Sequence, residues 1–186
     1  MSNKMLARAQ AVTRGVLTKI GADQLGNPTP CASWAVRDVI NHLIVANLRF
    51  ARAMRTGDAV SDDDPDYASG DFLGAYDEAC AACEAAFDTP GALDRRVSMA
   101  FGDVPGWLLL WLATTEVFVH GWDLAKATHQ STDLDPTIAA ELLAGADVVS
   151  DDLRGPDGTA GFGPRRTAPD GASSADKLAA YLGRPV

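Results

Sequence analysis

The chain has 186 residues, 47% of them hydrophobic, and its 16 Lys and Arg against 25 Asp and Glu give a formal net charge of −9. That length fits one domain around a real core. The acidity excludes nucleic acid as an expected partner, because phosphate binding needs a basic patch, and it argues against docking on an anionic membrane.

Residues 4–22 place Met5, Ala9, Val12, Val16 and Ile20 on one stripe, which predicts a first amphipathic helix ended by Gly21 and then Gly26-Asn27-Pro28. Ser33 is the expected N-cap of a second helix, from Trp34 to about Thr56. Val36, Val39, Ile40, Leu43, Ile44 and Leu48 form its apolar face. The acidic stretch GDAVSDDDPDYASG reads as a loop. An Ala-rich third helix follows from about Ser69 to Phe87. Then RRVSMAFGDVPG alternates around Val97, Met99 and Phe101, with Gly102-Asp103 as a turn, which fits a short hairpin or extended connector. The longest apolar run, WLLLWLATTEVFVHGWDLAKATH, lies in a fourth helix from about Pro105 to Thr128. A fifth helix runs from Pro136 to about Leu153, with Asp135 as N-cap and Pro136 at its first position. Residues 154–172 hold five Gly and three Pro and predict irregular structure, before Ser173 or Ser174 caps a short last helix. The expected fold is all-α: an antiparallel four-helix bundle in a single domain over residues 1–186, with residues 154–186 as an irregular tail.

Nothing predicts a transmembrane span: the run from Val104 to Ala113 is too short, and Glu116 interrupts its continuation. The first residues, MSNKMLARAQ, lack a signal-peptide h-region, so a cytoplasmic location is expected. Three cysteines make no disulfide framework. Cys80 and Cys83 read as neighbours on one face of a helix, and Cys31 as packing.

Glu116 and His120 stand four residues apart in the apolar run, on one helix face and one turn apart. A carboxylate there is costly to bury unless its charge is compensated, so without a cation its pKa should rise. His42 lies between apolar neighbours on the second helix. If the two helices adjoin, His42, Glu116 and His120 can share one ion. Two His and one Glu is a ligand set of catalytic zinc sites with an open position, and it also suits iron and nickel. Asp123 either accepts from the ring of His120 as an outer support or pairs with Lys126. His129 reads as surface.

The segment TPCASWAVRDVINHL resembles the TPC-x-x-W-x-V-R-D-x-x-x-H-L opening of the mycothiol-dependent maleylpyruvate isomerase N-terminal-like proteins, within the DinB/YfiT-like metalloprotein superfamily. EVFVHGWDLA resembles their E-x-x-x-H-G-W-D-L-A segment, and the closing FGP…DGASSADKLAAYLGR is similar to an actinobacterial metal-binding subfamily. The resemblance implies a four-helix bundle with a divalent metal, zinc foremost, held by His42, Glu116 and His120. It also implies a low-molecular-weight thiol of the mycothiol type as cosubstrate, a small-molecule substrate, and isomerisation or S-transfer chemistry. Maleylpyruvate isomerases carry an additional C-terminal domain where one short tail helix is expected here. The alternatives are a hydrolase using metal-bound water and a non-catalytic metal-binding stress-response protein. A homodimer is expected, from the superfamily and from apolar surface that includes four Trp.

Overall fold

The computed structural model describes residues 2–31, 33–57, 65–99, 102–156 and 161–186. Among these residues six α-helices and one hairpin follow in the order α1 (Asn3–Leu17), α2 (Val36–Thr56), α3 (Phe72–Phe87), β1 (Arg96–Met99), β2 (Gly102–Pro105), α4 (Gly106–Ala127), α5 (Pro136–Ala144) and α6 (Ser174–Tyr181). The fold is all-α, as the periodicity predicts. Helices α1 and α2 each pack against both α3 and α4. Helix α4 is central: 16 of its 22 residues are buried, so its sequence is apolar nearly all round rather than striped. No helix among the described residues is long and apolar enough to cross a membrane.

Several boundaries differ from the sequence expectation. Helix α1 stops at Leu17, short of Gly21, and Ala22–Gln24 forms a separate 3-10 turn. Gln24 Oε1 accepts the Gly21 N–H at 3.0 Å, and Asn27 Nδ2 donates to Ala127 O at 3.2 Å. The first bond closes the turn on itself and the second docks the segment after it onto the end of α4, so tertiary contacts override helix propensity there. Ser33 is not the cap of α2. It lies in the left-handed region at φ 68°, and Asp38 accepts the N–H of Ala35, the true N-cap, at 2.8 Å. Trp34 therefore precedes the helix. Helix α3 begins at Phe72, with Asp71 accepting the Gly74 N–H at 3.0 Å. Of the acidic loop, residues 58–64 lie outside the described residues.

Gly102 and Asp103 are not a turn: they pair with Met99 and Ser98 in the hairpin, and the tip, with Phe101, lies outside the described residues. The cross-strand pair Val97 and Val104 is buried beside Leu109 and Leu110. Helix α5 ends at Ala144, not Leu153. A Cβ on Gly145 would meet the Trp111 indole nitrogen at 2.7 Å, and the chain continues as two 3-10 turns. Both expected caps are present: Asp135 accepts from Thr137 and Ile138, and Ser173 from Asp176. The described part of residues 154–172 has no helix or strand. It packs along α6 and the residues after it, held by Arg166 N–H to Ala180 O at 2.9 Å and by the backbones of Gly163 and Gly183 pressed together.

Gly121 is where α1 and α4 approach closely. A Cβ there would run into the Thr13 side chain, whose hydroxyl donates to Val117 O at 2.9 Å. Gly121→Ala should destabilise the protein by about 1–3 kcal/mol through overpacking. Urea denaturation reads this; an unchanged midpoint would contradict the close contact.

Cys80 and Cys83 are buried in the core face of α3. Burial pushes the Cys80 thiol up to about 12 and raises Cys83 as well. They are packing groups, not a redox pair.

Candidate metal centre

Helix α2 supplies His42 and α4 supplies Glu116 and His120; the two helices are packed neighbours. His42 Nε2 hydrogen-bonds Glu116 Oε1, and His120 Nε2 approaches the same oxygen at 3.2 Å. The two imidazole rings stand 4.9 Å apart, edge to face. Trp34 lies against both, with ring centroids 4.6 Å from His42 and 5.7 Å from His120. One ligand atom from each of His42, Glu116 and His120 lies within 4.8 Å of the other two.

The outer side of His120 is fixed by charge. His120 Nδ1 donates to Asp123 Oδ2 at 2.9 Å. Arg184, beyond α6, donates to the same carboxylate through Nη2 at 3.1 Å and Nε at 3.4 Å. Asp123 is 0% exposed and the Arg184 side chain 11%. Lys126 instead lies over the Trp122 ring. His129 is exposed beyond α4.

Burial alone would raise the Glu116 carboxyl, but His120 and His42 hold it well below the usual carboxylate range. The expectation of a raised Glu116 is therefore overturned: the two histidines compensate its charge before any cation does. Burial works against a charged His120 too, yet Glu116 and Asp123 push it up to about 9. Asp123 is held low against its burial by Arg184 and His120.

The sign of the pH dependence follows. In metal-free protein the raised His120 contributes stability in full below its ordinary 6.5, lost as pH rises through about 9. The lowered Glu116 and Asp123 contribute above their ordinary 4.5 and 3.8, lost as pH falls toward their folded values. Denaturation in chelator should show greatest stability from these groups between 4.5 and 6.5 and a decline toward 9 that is absent in His120→Gln. An alkaline decline of equal size in both proteins would contradict the pairing.

A cavity of about 360 Å³ opens onto these groups. Trp34, Pro30 and Cys31 wall it from the loop before α2, Thr115 and Val119 from α4, and Phe162, Leu182 and Arg184 from the tail. Cys31 corrects the packing expectation: it is half-buried in this wall and shares a second donor group with His120 and Asp123. The Thr115 hydroxyl is buried without a hydrogen-bond partner.

The donor set fits a divalent cation. It is two imidazole nitrogens and one carboxylate, the Nδ1 of His120 is committed to Asp123, and the cavity leaves room for a further ligand.

The architecture is that of the all-α DinB/YfiT-like class. The chain belongs to the mycothiol maleylpyruvate isomerase N-terminal domain family, whose match spans residues 6–125. It is 39% identical over 180 residues to an uncharacterized protein of Mycobacterium tuberculosis, covering 96% of this chain and 95% of that one. Crystal structures of the mycothiol-dependent maleylpyruvate isomerase share the fold: one superposes with TM-score 0.61 at 19% identity over 75% of this chain, and that of a mutant with TM-score 0.57 at 17% identity over 66%. The aligned regions span 67% and 58% of those chains.

Proposed function

We propose that this chain is a divalent-metal enzyme, zinc-dependent or using iron or nickel, that activates a low-molecular-weight thiol of the mycothiol type for isomerisation or S-transfer on a small-molecule substrate. The observation that carries the reading is the convergence of His42, Glu116 and His120 on one point beside an open cavity. Family membership supports the thiol.

His42 and His120 would present their Nε2 atoms and Glu116 its Oε1. A bound cation would supply positive charge that favours the thiolate form of a thiol reaching it. Asp123, itself held by Arg184, accepts the Nδ1 proton of His120 and orients its ring, which leaves Nε2 toward Glu116. Val119, Phe162 and Leu182 give the cavity an apolar side that limits water. The reading includes a cytoplasmic location, which suits reduced thiols such as Cys80 and Cys83. It also includes a homodimer, consistent with Trp107 at 54% exposure; light scattering that finds only 19.5 kDa particles at high concentration would contradict that part.

The test is the thiol dependence of turnover. Metal-loaded protein is offered a panel of small electrophiles and esters with and without mycothiol. Conversion only with both metal and thiol is expected. Thiol-independent hydrolysis would replace this reading with metal-bound water as the reactant. Equal inactivity of wild type and His120→Ala throughout would leave a binding protein.

A further inference from the structure

The tail carries a second group of charged side chains, around a cavity that shares Gly155 and Pro156 with the metal-centre cavity. Arg154 is the least expected of them. Its side chain is only 5% exposed, yet just one of its three nitrogens is hydrogen-bonded: Nη1 donates to Gly163 O at 3.1 Å and Tyr181 O at 2.9 Å. Its Nε and Nη2 have no hydrogen-bond partner. A buried guanidinium left short of acceptors is costly unless something supplies them.

Arg165 stands beside it. The guanidinium carbons of Arg154 and Arg165 lie 5.0 and 4.8 Å from the centroid of the Tyr181 ring. Tyr181 donates its hydroxyl to Asp147 at 2.8 Å, which fixes the ring both cations rest on. Among the described residues, Asp151 is the carboxylate that faces the pair. Its Oδ1 is 3.8 Å from Arg154 Nε and 3.6 Å from Arg165 Nη2, beyond good hydrogen bonds to either, and its side chain is 86% exposed. Asp151, Arg154, Gly155, Pro156, Pro164 and Arg165 line a cavity of about 360 Å³. Gly155 and Pro156 also line the metal-centre cavity.

We propose that Arg154 and Arg165 form a binding site for an oxyanion group, carboxylate or phosphate, of a small-molecule ligand, with Asp151 as a weakly held internal occupant that the ligand displaces. Two adjacent guanidiniums, that of Arg154 with two nitrogens unused, match the oxygens of such a group. Gly155 and Pro156 line both cavities, so this anion site adjoins the metal-centre cavity. The site does not depend on the metal reading.

Calorimetric titration of the full chain at low salt, with inorganic phosphate in one arm and malonate in the other, tests this. Saturable binding near one per chain is expected in at least one arm, and the arm that binds identifies the oxyanion. Arg165→Ala, at a half-exposed position, should weaken it about tenfold or more, since a charge-assisted pair is lost. Asp151→Asn should strengthen it several-fold by removing the competitor. His120→Ala should leave it unchanged. Absence of saturable binding in both arms overturns the proposal, and so does binding indifferent to both Arg165→Ala and Asp151→Asn.

Discussion

Elemental analysis of the purified protein should return about one divalent ion per chain, and His42→Ala, Glu116→Ala and His120→Ala should each lose it. All three donors converge, so removing one leaves a two-ligand site. Asp123→Asn, which removes no ligand but loosens the support of His120 and the pair with Arg184, should weaken binding by about 10–100-fold, and the ligand substitutions by more than that. Glu116→Gln should also lower the stability of metal-free protein, because Glu116 hydrogen-bonds His42 and pairs with His120 even without a cation. Full occupancy in any two of the alanine variants would end the metal reading.

The second large effect concerns stability. Arg184→Ala removes the guanidinium that compensates Asp123, a carboxylate with no exposure to water. His120 then remains as its hydrogen-bonded cationic partner. The expected loss is about 3–5 kcal/mol, typical of breaking a buried charge pair. At this chain length that lowers the melting temperature by roughly 6–20 °C. Replacing both partners, Asp123→Asn with Arg184→Met, should cost less than the sum of the single changes, because neither charge is then stranded. Strict additivity in calorimetry would mean that the two side chains act independently.

What the sequence could show follows from how far apart the interacting residues lie in it. Glu116 and His120 are visible because a helix places residues four apart on one face, and Asp123 because it follows His120 by three. His42 is visible as a polar residue on the apolar face of α2. The rest of the cavity is invisible to such patterns. Arg184 meets Asp123 across 61 residues, through a Gly- and Pro-rich tail with no periodicity. Trp34 reads as the first residue of a helix, but the left-handed turn at Ser33 and the Asp38 cap at Ala35 leave it ahead of α2, against both histidines. Cys31 and Thr115 look like ordinary small core residues; only the folded tail makes them part of a cavity wall. The misplaced helix ends have the same origin. Gly145 is a visible breaker, but its reason, the Trp111 indole from α4, is tertiary. The Glu116 expectation failed because it treated the carboxylate alone, whereas α2 brings His42 to the same oxygen.

An anomalous difference map at the zinc edge, from crystals of zinc-loaded protein, tests the central claim most directly. One peak within bonding distance of His42 Nε2, Glu116 Oε1 and His120 Nε2 is the expected result. No peak there, or a peak instead among Cys31, His120 and Asp123, would contradict it.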